Sequence, residues 1–227
     1  MIAPDPSDPR GATGVPDEID AFLAALAPGS TADGSPPDGS DPLPAQFVTT
    51  VAEILRVPGG TLDVVLSDAG RRSTHELTLS RAGILRRSRG ADAREDLAVH
   101  PTSVLPGLLL RLARIAPVEP LAQEVALDVP PETVDALFAA EPADRTAAWT
   151  ALTGAAAALP GAADTQLEKA PPRAARLVRH RPEGSRSATV VLLRGRYLVA
   201  DGAGEPVLRG TSATGATRSL MAALLPL

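Results

Sequence analysis

Residues 64–90, VVLSDAGRRSTHELTLSRAGILRRSRG, and residues 178–204, VRHRPEGSRSATVVLLRGRYLVADGAG, match in kind when laid against each other without a gap. Val64 falls on Val178, Gly70 on Gly184, Arg72 and Ser73 on Arg186 and Ser187, Leu79 on Leu193, and Gly90 on Gly204. Leu77, Ile84 and Leu85 meet Val191, Leu198 and Val199. Past a short insertion in the first copy, Thr102 and Ser103 fall on Thr211 and Ser212, and Pro117 on Pro226. Self-similarity of this kind marks a duplicated structural unit.

The order of elements supports the duplication. Alternating apolar residues between turn formers predict strands over Leu62–Ser67, Thr74–Ser80, Gly83–Ser88 and Asp96–His100. A helix follows, capped by Thr102 or Ser103, with Leu105, Leu108, Leu109, Leu112 and Ile115 on one face before Pro117. The second copy predicts strands over Ala174–His180, Ala188–Arg194, Arg196–Asp201 and Pro206–Arg209, then a helix over Ser212–Leu225. Four strands and one covering helix leave an exposed edge, which two such units remove by joining into one sheet. The expected class is therefore α+β. It is a quasi-twofold duplicated unit of antiparallel strands followed by a helix, forming a central antiparallel sheet with helical segments.

Working outward, the first half spans about 60–117 and the second about 174–227, within a domain over 44–227. Between the halves, at about 118–170, lie a predicted strand at Glu124–Val129, a short helix at Pro131–Ala139 and an Ala-rich helix at Ala143–Leu159 containing Trp149. Residues 1–43 hold eight acidic residues against Arg10 and are crowded with Pro, Gly and Ser, a composition that predicts a disordered acidic leader. Its exception is 16–27, where Asp17, Glu18 and Asp20 suit a helix's first turn and Ile19, Phe22, Leu23 and Leu26 form an apolar face, able to dock on the body or on a partner. The leader carries −7 of the chain's net −5, leaving the remainder at +2.

Composition narrows function. With 44% hydrophobic but only 2% aromatic residues, the core is built from Leu, Val, Ala and Ile, and ring-anchored recognition surfaces are disfavoured. The absence of cysteine excludes a disulfide framework, a thiolate metal site and a cysteine nucleophile, and fits a reducing compartment. No secretory signal or membrane-spanning run is legible, so a cytoplasmic location is expected. His75, His100 and His180 lie far apart without metal-ligand spacing. Neither a phosphate loop nor a Gly-x-Ser-x-Gly elbow occurs; Gly59–Gly60 and Gly202–Gly204 read as turns. Glu95 and Asp96 are adjacent, so on a strand they face opposite ways and form no acid–base pair. Neither an enzyme nor a cofactor is expected.

Arg71, Arg72, Arg81, Arg86, Arg87, Arg89 and Arg94 crowd one stretch, countered by Glu76 and Asp92. A solvated sheet edge guarded by charge is the plain reading. Nucleic acid fits poorly, since the body is nearly neutral and lacks stacking aromatics.

Three segments carry a family resemblance. RLVRHRPEGSRSATVVLLRGRYLVAD at 176–201 is similar to a late hairpin ending in a Gly-Arg-Tyr strand, EPVLRGTSATGATRSLMAALLPL at 205–227 to a closing strand and helix, and VALDVPPETVDALFAA at 125–140 to a strand, proline and short helix. All three resemble the EspG family, cytoplasmic chaperones of ESX (type VII) secretion in actinobacteria. The resemblance implies a quasi-twofold fold with a central antiparallel sheet, and a partner that is a helical secretion substrate such as a PE-PPE heterodimer or another small helical hairpin protein. The surface expected to meet it is the Arg-rich hairpin, Asp68, Arg71, Arg72, Arg81, Arg86 and Arg87, with Trp149 beside it. The alternative is a duplicated α+β ligand-binding or regulatory domain unrelated to secretion. A degenerate enzyme would need a pocket lined by His180 with Glu76 or Asp201.

Overall fold

The computed structural model describes residues 2–5, 8–30, 42–68, 70–90, 94–116, 125–159, 171–181, 184–200 and 207–224. Eleven strands hydrogen-bond in the order β1-β2-β6-β5-β4-β3-β8-β9-β10-β11-β7. They are β1 Ala3–Asp5, β2 Asp8–Gly14, β3 Gly60–Asp68, β4 Arg72–Leu79, β5 Ile84–Arg89, β6 Glu95–His100, β7 Ala126–Asp128, β8 Arg173–Arg181, β9 Gly184–Leu193, β10 Arg196–Ala200 and β11 Val207–Thr211. Among the described residues six α-helices accompany them: α1 Pro16–Leu26, α2 Ala45–Arg56, α3 Leu105–Leu112, α4 Pro131–Ala136, α5 Pro142–Ala155 and α6 Ala213–Ala222. The class is α+β with a large antiparallel sheet, as the alternation of the sequence implies. In the strand order the two copies appear as β6-β5-β4-β3 and β8-β9-β10-β11, each meander reading outward from its own first strand.

The chain divides into two compact units, Met1–Asp63 with Ser73–Gly107, and Val64–Arg72 with Leu108–Leu227; β3 contributes to both. In the first unit β2 pairs with β6, β6 with β5 and β5 with β4. The register places Leu85, Arg87 and Arg89 on one face with Leu97 and Glu95, and Ile84, Arg86 and Ser88 on the other with Leu77 and His75. Ile19 and Phe22 of α1 and Phe47, Val51 and Ile54 of α2 bury against Leu85 and Leu97 on the first face. The Phe22 and Phe47 rings stack with centroids 6.4 Å apart. Each of these large side chains contributes roughly 1.5–3 kcal/mol when fully buried.

This corrects the reading of residues 1–43 as an unstructured leader for residues 2–5 and 8–30. Ile2, Ala12, Ile19 and Phe22 are buried with α2, and β2 pairs residue by residue with β6. Pro, Gly and Asp make the segment look incapable of ordering, yet backbone pairing to β6 needs no apolar side chains, and every second position of β2 can stay polar. Helix α1 spans 16–26, close to the expected 16–27. Glu18 reaches back to accept the Val15 N–H at 3.4 Å. Residues 31–41 lie outside the described residues.

In the second unit β8, β9, β10, β11 and β7 pair antiparallel in that order. Ala174, Val191, Leu193, Leu198, Leu208 and Leu127 form one apolar face, covered by Val134, Leu137 and Phe138 of the α4 region and by Ala148, Trp149 and Leu152 of α5. Helix α6 packs on β9, β10 and β11. Its start is set by Ser212, whose Oγ accepts the Gly215 N–H at 3.1 Å. Gly215 is required there, since a Cβ would sit 1.8 Å from Thr211 Oγ1.

One detail of the repeat is corrected. Leu79 faces Ile84 across a four-residue turn, whereas Leu193 faces Arg196 across Arg194 and Gly195 alone. The gapless alignment therefore slips by two residues beyond the hairpin, and because side chains alternate with period two the apolar correspondence survives. Both residues of the shorter turn have positive φ, 49° at Arg194 and 73° at Gly195. The left-handed Arg194 is held by its guanidinium, which donates to the carbonyls of Ala156, Ala157 and Leu159 at 2.9–3.1 Å, in the 3-10 turn Ala156–Ala158 that follows α5 and the residue after it. Asp201, the turn at 202–204, Pro206, Glu124, Pro117, Leu225 and Pro226 lie outside the described residues.

Candidate functional site

The residues expected to form the partner surface fall in two groups. Asp68, Arg71, Arg72 and Trp149 belong to the second unit, Arg81, Arg86 and Arg87 to the first. Each group is built differently.

In the second unit Asp68 closes the β3–β4 turn. Its Oδ1 accepts the N–H groups of Gly70 at 3.1 Å and Arg71 at 2.8 Å, and its own N–H donates to the Arg71 carbonyl. The carboxylate is thus engaged in shaping the turn that leaves Arg71 exposed. Arg72 is half-buried, with Nε donating to the Phe138 carbonyl at 3.0 Å. Its pKa is lowered, first by burial and then by the charge of Arg145. Arg145, only 6% exposed, donates through Nη1 to the carbonyls of Ala139 and Ala140 at 2.9 and 2.5 Å. Arg176 lies 4.5 Å over the Phe138 ring and pairs with Asp135 at 2.7 Å. Three arginines therefore gather around Phe138 and the carbonyls just beyond α4. Sequence reasoning missed Arg145 and Arg176; three successive carbonyls after a short helix, with no glycine to close it, were the available signal for a cation there.

Trp149 is not a surface residue. It is 3% exposed, packed within the core under α5, and its indole N–H donates to Ser67 Oγ at 3.2 Å.

In the first unit Arg81 is exposed in the β4–β5 turn. Arg86 and Arg87 follow one another on β5 and so occupy opposite faces. Arg86 shares its face with His75, whose pKa is lowered to about 4 by burial and then by the Arg86 charge, and whose Nδ1 sits 2.8 Å from Ser88 Oγ. Arg87 is committed elsewhere. It pairs with Asp20 of α1 at 2.6 Å and with Glu95, which also meets Arg89. Glu95 is buried and Asp96 exposed, on opposite faces of β6. The Asp20 contact brings one acid of the N-terminal segment onto the Arg-rich stretch. Burial lowers the pKa of Arg87 and its pairing with the two carboxylates outweighs this, raising it.

His180 sits exposed on β8 with Nδ1 3.1 Å from Ser185 Oγ, while Glu76 is on β4 of the first unit and His100 is half-buried at the end of β6. Among the described residues no three His, Asp or Glu side chains cluster as a metal site. No helix of the described residues is long and apolar enough to cross a membrane.

The fold is EspG-like. Among solved structures the chain is similar to the Mycobacterium tuberculosis type VII secretion system chaperone EspG5 in complex with a PE25-PPE41 dimer, with TM-score 0.53 and 13% identity over 95% of this chain and 97% of that one. No family model and no curated protein sequence matches the chain.

Proposed function

We propose that this chain is a cytosolic chaperone or adaptor that binds a helical type VII secretion substrate, of the PE-PPE heterodimer kind, and keeps it soluble for export. The observation that carries this reading is the fold shared along 95% of the chain with a chaperone solved in complex with such a dimer. The protein acts by binding and not by catalysis. A cytosolic adaptor of this sort covers an apolar helix tip until the export machinery receives it, and a moderate interface with few ring anchors suits release. Arg71 and Arg81, exposed at the two turns that follow β3 and β4, are the members of the expected set most available to a polar rim.

The test is co-expression of the full chain with each PE-PPE-like pair encoded in its own genome, followed by affinity capture and size-exclusion chromatography. Co-elution of one pair as a defined complex, weakened by charge reversal at Arg71 or Arg81, supports the proposal. Failure of every such pair to co-elute, with the chain folded by circular dichroism, refutes it.

A further inference from the structure

The turn that carries Arg71 is tied down at both ends. Ser67, the residue before Asp68 in β3, accepts the indole N–H of Trp149 on α5 at 3.2 Å. Arg72, the first residue of β4, donates through Nε to the carbonyl of Phe138, just beyond α4, at 3.0 Å. Between these anchors the turn closes on itself, since Asp68 Oδ1 accepts the Gly70 and Arg71 N–H groups and the Asp68 N–H donates to the Arg71 carbonyl. Short-range bonds shape the turn, and bonds between residues 82 and 66 positions apart in the chain hold it against α5 and the α4–α5 connection.

The acceptor of the second anchor is itself fixed. Phe138 is buried with Arg176 4.5 Å over its ring, and Nη1 of the buried Arg145 donates to the next two carbonyls, those of Ala139 and Ala140. The Arg72 bond therefore refers the start of β4 to a backbone segment clamped on either side. Arg71, one residue earlier, is exposed. A long side chain that meets a partner gives up conformational freedom, and less is given up when the backbone beneath it is already ordered.

We infer that Arg72 is a positioning residue for the partner surface: its bond to the α4–α5 connection fixes the turn that presents Arg71 to the helical substrate. The inference rests on the chaperone reading for the identity of the partner, and it gives Arg72 no contact with that partner.

Arg72→Gln separates anchoring from charge, because the glutamine amide nitrogen stands as many bonds from Cα as the arginine Nε and can donate to the Phe138 carbonyl without a cation. In the full ¹⁵N-labelled chain, the order parameters of the Gly70 and Arg71 amides are expected to fall in Arg72→Ala and to keep the parent value in Arg72→Gln and Arg71→Ala. Ser67→Ala, which releases the other anchor, is expected to lower the same two values. Affinity for the PE-PPE-like pair that co-elutes with the chain, measured by calorimetric titration, is expected to drop about three- to tenfold in Arg72→Ala and in Arg71→Ala, the scale of one hydrogen bond or of its ordering cost. Arg72→Gln is expected to bind within about twofold of the parent, the lower end of that scale. Order parameters unchanged by Arg72→Ala, in a chain still folded by circular dichroism, overturn the inference. So does an affinity loss in Arg72→Gln equal to that in Arg72→Ala, which would make Arg72 a charge contact with the partner. If no pair binds even the parent, the chaperone reading fails and takes the role of the turn with it; if the parent binds and Arg72→Ala binds equally well, the inference alone fails.

Discussion

Trp149 offers the sharpest separation between a residue that meets a partner and one that holds the fold. It is the only tryptophan, 3% exposed, a member of the buried cluster that includes Leu127, Leu137, Phe138, Leu152, Val191 and Leu198, and bonded through its indole N–H to Ser67. Trp149→Ala removes the largest side chain of this core and leaves a cavity, at a cost of about 3–5 kcal/mol. Trp149→Phe retains most ring packing and loses the hydrogen bond and part of the ring area, for about 1–2 kcal/mol. Ser67→Ala leaves the buried N–H without its acceptor and is expected to cost about 1–3 kcal/mol. Because the two residues share one bond, the double variant Ser67→Ala with Trp149→Phe falls short of the sum of the singles. Urea unfolding followed by far-ultraviolet circular dichroism measures all four, since the Trp149 variants have no tryptophan emission. The reasoning fails if Trp149→Ala unfolds within about 0.5 kcal/mol of the parent, the range of an ordinary surface substitution.

Glu95→Gln is expected to destabilise by about 3–5 kcal/mol in the same assay, because it leaves the Arg87 cation on a largely buried sheet face without its buried partner. Asp20→Asn, at a carboxylate 60% exposed, should cost no more than about 1 kcal/mol. The folded-state pKa of His75 lies at about 4, below the ordinary 6.5. Between those values the unfolded chain binds more protons, so the contribution of neutral His75 is complete above pH 6.5 and is lost as pH falls toward 4. Its share of that acid-side decline is on the order of 2–3 kcal/mol after allowance for partial solvent contact. Unfolding titrations at pH 4.5 and 7 should show a smaller difference for His75→Gln than for the parent.

The N-terminal segment changes how its role can be tested. Removing residues 1–43 takes away β1, β2 and α1, and with them Ile2, Ala12, Ile19 and Phe22 from the core of the first unit. Such a deletion probes folding. The contact between Asp20 of the segment and the Arg-rich stretch is addressed instead by Asp20→Asn, which releases Arg87 from α1 while the strands remain.

What the sequence determined by itself was local. Period-two alternation broken by glycine and charged turns located β3 to β6 and β8 to β11 to within a few residues. The 3.6-residue spacing of Ile19, Phe22, Leu23 and Leu26 located α1, because these patterns arise from backbone geometry and burial of one face. Tertiary structure decided everything that depends on which surfaces meet. Segment 8–14 is a strand because β6 offers it a backbone to pair with, which its own composition does not announce. Arg86 and Arg87, neighbours in the chain, part to opposite faces, where one adds to the burial that lowers the pKa of His75 and the other joins two carboxylates. Trp149, conspicuous in an Ala-rich helix, turns inward, and the arginines around Phe138 come from β4, α5 and β8. Charges and rings announce their chemistry in the sequence, but their partners are set by long-range packing, whose contacts join residues scores of positions apart.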